Sequence, residues 1–217
     1  MAKLILLRPW IIGGLMSLCM SATPAQWTDS GAFVTQVQGA VQMEPRADAQ
    51  EVRAFAHLQA GQTLVLTAQA RLQVLYLQGG RQETWFGPAQ LKLGEAQSQL
   101  LSGTAPQIKS LPPAVVQALG KTHELMSDPK ARQGMIRFRA IPAAKVREAQ
   151  EQYGQLREQL PFEDITPELF LLGQLEILRA YSAMRAPLRE MLLRQPQQPE
   201  VRALHDQYSA MLDEARP

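Results

Sequence analysis

The chain has 217 residues, 46% hydrophobic and 19% charged, a balance of ordinary globular proteins that excludes a disordered or low-complexity class. Its 22 basic against 20 acidic side chains give a net charge of +2, so no global asymmetry points to nucleic acid or an anionic membrane surface. Glutamine is frequent but scattered, which reads as neutral surface.

Lys3 and Arg8 precede an apolar run from Pro9 to Met20, followed by the small-residue exit Ser21-Ala22-Thr23-Pro24-Ala25. A positive start, a short apolar centre and small residues at the exit are the parts of a secretory signal. The run is shorter than the ~20 residues that span a bilayer. Cleavage near Ala25 is therefore expected, giving a periplasmic or secreted protein; an uncleaved N-terminal anchor is the alternative. Cys19 is the sole cysteine and lies within this segment, preceded by Leu18 and not by the small residue that lipoprotein processing wants. Cleavage would leave no cysteine, hence no disulfide and no thiol chemistry. It would also remove Lys3 and Arg8, leaving 20 basic against 20 acidic residues.

From Gly31 to Ser110 the pattern has period two. Phe33, Val37, Val41 and Met43 share one parity against Gln36, Gln38 and Gln42, a half-buried strand with a break expected at Gly39. Leu58 leads through Ala60-Gly61-Gln62 to a short strand at Thr63–Thr67. In Arg71–Gln78, Leu72, Val74 and Tyr76 face one way and Leu75 and Leu77 the other, which predicts a central strand covered on both faces. Gly79-Gly80 predicts a two-residue hairpin, Glu83–Phe86 returns, Gly87-Pro88 turns, and Ala89, Leu91 and Leu93 alternate with Gln90 and Lys92. Leu100 and Leu101 close the section. Such spacing fits a small all-β sandwich, roll or solenoid-like stack, and does not choose among them.

Past Pro112 the period changes. A helix is predicted over Ala114–Met126, then a basic connector in which Lys130, Arg132, Arg137, Arg139, Lys145 and Arg147 stand without an acid between them. Val146, Ala149, Tyr153, Leu156 and Leu160 make an amphipathic stripe. Thr166-Pro167-Glu168 reads as N-cap, N1 proline and first-turn acid of a helix that turns Leu169, Leu172, Leu175 and Leu178 inward. Pro187 starts another helix running Leu188–Arg194. Val201, Leu204, Tyr208 and Met211 line the last one, after the link Gln195-Pro196-Gln197-Gln198-Pro199. The whole is expected to be α+β: a small all-β domain followed by a bundle of short antiparallel helices.

Four stretches carry a resemblance: Phe33–Val41 with its V-x-G-x-V opening, Leu58–Leu64 with L-x-x-G-x-x-L, Leu75–Arg81 ending in Gly79-Gly80, and Phe86–Leu91. In this order they resemble a FecR-type periplasmic domain over about residues 31–102, with Gln78 where that family usually has an acid. The resemblance implies a non-catalytic β-module of the cell envelope used in protein contacts or surface binding. It is closer to a secreted relative than to the family's sigma regulators, which carry a cytoplasmic segment and a membrane helix. Val201, Leu204, His205 and Tyr208 look like part of a tetratricopeptide unit, and Leu172-Gly173 like another, but their 32-residue spacing is short of the usual repeat of about 34. The expected division is a signal at 1–25, the β-domain at 26–110, a helix and basic connector at 111–141, and a helical hairpin region at 142–217.

Candidate chemistry is sparse. His123-Glu124 begins like a zinc-peptidase motif, but Ser127 stands where its second histidine belongs, and one histidine cannot fix zinc. No G-x-S-x-G and no phosphate cradle occurs. Glu163-Asp164 are adjacent, so they point apart and suit a loop entering a helix better than a glycosidase pair. No enzyme and no cofactor is expected. As binding residues the reading selects Tyr76, Arg81, Trp85 and Phe86 around the glycine hairpin, and Arg137, Phe138 and Arg139 in the basic stretch. Neighbours in a strand face opposite ways, so one of Trp85 and Phe86 can fill the core while the other stands outside, unless the helical half covers it. The expected role is protein–protein interaction or scaffolding in the envelope; binding of cell-wall glycan or surface polysaccharide is the alternative.

Overall fold

A computed structural model describes residues 31–44, 50–127 and 143–214, and the described residues form nine strands, most of them with the expected apolar alternation. The expected N-terminal signal, and Arg137, Phe138 and Arg139 of the basic stretch, lie outside the described residues. The strands are β1 (Gly31–Gln38), β2 (Val41–Glu44), β3 (His57–Gln59), β4 (Thr63–Leu66), β5 (Arg71–Tyr76), β6 (Arg81–Phe86), β7 (Ala89–Leu93), β8 (Ser98–Gly103) and β9 (Gln107–Ser110). They pair antiparallel into a five-stranded sheet, β3-β1-β5-β6-β9, and a four-stranded sheet, β2-β4-β7-β8. Of the three β architectures open to the sequence, this is the sandwich: Val34, Leu64, Leu72, Val74, Trp85 and Leu91 fill the space between the sheets.

Strand β5 is central, as its two apolar faces require. Leu72, Val74 and Tyr76 enter the sandwich, while Leu75 joins a second cluster with the helices. The β1 pattern differs from expectation. Val34 pairs with Val74 and Gln36 with Gln73, so Thr35 is an extra residue. That bulge reverses the parity, sending Phe33 to the helices and Val37 to the sandwich. The break expected at Gly39 is there: it forms the turn into β2, at φ +71°.

The two-residue hairpin is also corrected. Four residues, Leu77–Gly80, join β5 to β6, with the Gly80 N–H donating to the Tyr76 carbonyl (2.9 Å). Gly80 alone of the pair has positive φ, and a Cβ there would lie 2.6 Å from the Leu111 carbonyl oxygen.

The helices follow: α1 (Pro113–Ser127), α2 (Ala143–Gln159), α3 (Thr166–Ile177), α4 (Arg185–Arg194, after a 3-10 turn at Tyr181–Met184) and α5 (Pro199–Glu214). They form a third layer on the outer face of the five-stranded sheet, where Phe33 and Leu75 share a core with Leu119, Leu169, Phe170 and Leu172. The expected single leucine stripe of α3 is too narrow. Phe170 and Leu171 are buried as well, because α1, α2 and α4 all pack around it. Its start is corrected too: Thr166 is the first helical residue and not the cap, and Asp164 Oδ1 accepts the Thr166 N–H (2.9 Å). Gly173 lets α1 approach closely, since a Cβ there would meet the Ala118 carbonyl oxygen at 2.0 Å.

Polar side chains complete the sheet-to-helix contact. Gln73 Nε2 donates to Asp164 Oδ2 (3.0 Å) and Gln82 Nε2 to Thr166 Oγ1 (3.0 Å), tying β5 and β6 to the start of α3. The Glu163-Asp164 pair is thus a structural loop, Asp164 satisfied on both oxygens.

Candidate functional site

The β5–β6 ladder brings most of the selected residues together. Tyr76 faces Arg81, Val74 faces Glu83 and Leu72 faces Trp85, so Tyr76, Arg81, Glu83 and Trp85 alternate onto the inner face. Glu83, fully buried, is the residue around which they gather. Its Oε1 accepts from Arg81 Nε (2.6 Å) and the Ser98 backbone N–H (3.2 Å), and its Oε2 from Trp85 Nε1 (3.1 Å). Tyr76 bonds through its hydroxyl to Ser98 Oγ at 2.7 Å. A buried carboxylate needs such donors, and here they strap the first residue of β8, in one sheet, to β6 in the other.

This placement separates the aromatic pair. Trp85 and Tyr76 have no exposed surface, so neither stands on an outer contact face. The ring of Trp85 shares its side of the strand with Leu72, and its N–H is taken up by Glu83. Phe86 takes the opposite parity and is 40% exposed, with the Arg71 guanidinium 5.6 Å from its ring centre. Glu83 and Ser98 were missed by sequence reasoning. The signal that could have found Glu83 was an acid at an inward position, two residues from both an arginine and a tryptophan.

Burial pushes the Tyr76 hydroxyl up to about 12, with the Glu83 charge adding to the rise and the Ser98 bond opposing it. The folded state therefore holds this proton where the unfolded chain, with an ordinary value near 10, releases it. Stability from this group is complete below pH 10 and falls as pH rises toward about 12, by roughly 3 kcal/mol in all at 1.36 kcal/mol per unit. Urea titrations between pH 9 and 12 should show this decline, and Tyr76→Phe should flatten it. Tyr153, raised by burial and by Glu168, will keep its own share. An unchanged slope in Tyr76→Phe would remove Tyr76 as the cause.

Beside the Glu83 strap the sandwich is open. Strands β8 and β9 are edges of their respective sheets and are joined through residues 104–106, so both edges end on the same side. Leu100 pairs with Leu91 and Ile108 with Glu83, inward-facing partners, which sets both along the mouth between the sheets. They are 39% and 52% exposed, and Leu101, the extra residue of a bulge in β8, is 47% exposed. Two large apolar side chains thus stand exposed along one opening, with Leu101 next to them in the chain. Sequence pattern could not mark β8 and β9 as strands, because edge residues that bury neither face show no alternation.

A cleft of ≈ 870 Å³ lies elsewhere, between Gly39, Val52 and Arg53 on the β side and Gln195, Gln198 and Pro199 on the helical side. No cluster of metal-binding side chains occurs among the described residues, and no described helix is long and apolar enough to cross a membrane. Comparisons of the chain with known protein families, with curated proteins and with solved structures found no match.

Proposed function

We propose that this chain is an exported, non-catalytic interaction module of the cell envelope that binds a protein partner through the open side of its sandwich. One observation carries the reading: Leu100, Leu101 and Ile108 stand 39–52% exposed on two unpaired sheet edges that share one side. Large apolar groups at a strand edge suit a protein contact, since a partner covers side chains and free backbone groups together. The N-terminal signal pattern supports export, and the order of glycine and apolar steps in residues 31–102 supports a FecR-type β-domain as its origin. Glycan binding would gain support from Tyr76 and Trp85 on one open face, and both are enclosed.

The test is an affinity capture from envelope extract with the tagged protein, run beside the double variant Leu100→Ser, Leu101→Ser and beside Phe86→Ala. A protein partner should be retained by the parent chain and by Phe86→Ala, and be reduced at least tenfold with the double variant. Retention of purified cell-wall glycan with no protein would replace this reading by the glycan one. A hydrolase activity abolished by a single carboxylate substitution would sink both.

A further inference from the structure

The four outer strands of the sandwich are not equally open. Strand β2 is flanked by the stretch Gln50–Val52, whose Val52 N–H donates to Val41 and whose Gln50 carbonyl accepts from Met43. Strand β3 has three residues. In β8 the bulge at Leu101 interrupts the ladder, and the Ser98 N–H is already taken by Glu83. Among the described residues strand β9 has none of these protections, and all four of its residues are exposed.

Its free backbone groups can be assigned. The Leu111 N–H donates to the Gly80 carbonyl (2.7 Å), and on the other side of β6 the Gly87 N–H donates to the Ala70 carbonyl (2.8 Å), so odd residues of β6 bond β5 and even ones bond β9. Bonded pairs alternate along an antiparallel ladder. Lys109 with Gln82 and Gln107 with Thr84 are then the next bonded pairs. Ile108 and Ser110 consequently turn their N–H and C=O groups away from β6, to the side where no described strand pairs with β9.

A second copy of the chain is a poor occupant. The antiparallel register that matches both outward residues sets Ile108 against Ser110 of the copy and Lys109 against Lys109. Those lysines would form a non-bonded pair, in which side chains come closest, and like charges there are unfavourable. An acid at the same place is favourable. We infer that β9 is the docking edge for an extended segment of a partner protein that adds as a further strand, with an acidic residue opposite Lys109 between apolar residues facing Ile108 and the mouth of the sandwich. This rests on the protein-binding reading above and names the partner's chemistry.

The test uses the full chain in its own cells with a photo-crosslinking amino acid in place of Gln107, the attached partner peptide being identified by mass spectrometry. The peptide should carry an acid between two apolar residues. Ser110→Pro removes an outward donor without touching the β6–β9 ladder. It should cut the crosslink yield at least tenfold at unchanged Tm. Lys109→Glu should do the same, and lysine in place of the partner's acid should restore it. A protein crosslink that survives both substitutions overturns strand addition but leaves the protein-binding reading intact. A crosslink to a second copy of this chain also overturns it. Absence of any crosslinked protein at Gln107, with capture still lost in Leu100→Ser, Leu101→Ser, moves the contact to β8. Absence of protein in both experiments removes the premise.

Discussion

Glu168→Ala should lower the unfolding free energy by about 3–5 kcal/mol, the range for breaking a buried ion pair from one side. The carboxylate is fully buried, and it receives Arg194 Nε at 2.8 Å, Arg157 Nη1 at 3.1 Å and the Tyr153 hydroxyl at 3.0 Å. Those three donors come from α4 and α2, so one side chain in the first turn of α3 fixes the other two helices around it. Both guanidiniums are themselves held. Arg157 also donates to the carbonyls of Leu160, Pro161 and Asp164, and Arg194 lies 4.7 Å from the Phe162 ring centre. Neither can swing out to water when its partner is removed, and that is why the loss should be large. Glu168→Gln, which keeps two polar atoms and loses the charge, should cost about half as much. Glu190→Ala is the control: its part-buried, longer pairing with Arg194, at 3.4 Å, should be worth no more than about 1 kcal/mol. Urea unfolding at neutral pH measures all three. A loss under 1 kcal/mol for Glu168→Ala would show the cluster to be incidental.

The second large effect is expected at Glu83. Alanine there leaves the Trp85 Nε1–H in the core and the Ser98 N–H without their acceptor, and strips Arg81 of its partner. The expected loss is about 3 kcal/mol, from the desolvation of the orphaned donors. It differs from the Glu168 effect in where it acts. Glu83 is the tie between β6 and the start of β8, so amide exchange should accelerate first in Ser98–Gly103, while α2–α4 keep their protection. If exchange rises uniformly, the strap is only a contributor to global stability and not the local fastener of that edge. Loosening β8 would also disturb the apolar mouth, so Glu83→Ala should weaken partner capture even though Glu83 touches no solvent.

Much of the architecture was legible because it depends on local patterning. Period-two alternation in Ala89–Leu93 and two apolar faces in Leu72–Leu77 were enough to place a half-buried strand and a central one. The change of period past Pro112 placed the helices, and the proline at Pro167 marked the start of α3 to within a residue. Strands β8 and β9 escaped because a strand that buries neither face leaves no alternation to read. The parity of β1 escaped because a single bulge at Thr35 shifts every residue on one side of it to the other face, and nothing in the composition of the strand announces it.

The sequence by itself determined that a β-rich half precedes a helical half, that no cysteine follows residue 25, and that one hairpin carries Tyr76, Trp85 and Phe86. Those follow from residue type and short-range spacing. Only the tertiary structure decided which face each hairpin residue occupies. A tryptophan that reads as a contact surface is enclosed because an acid two positions away in the same strand meets its N–H, while the next residue, Phe86, is left outside. Strand pairing and layer packing link residues far apart in the chain, as in Glu83 with Ser98 and Gln73 with Asp164. Such contacts set burial and open edges, and local spacing carries no record of them.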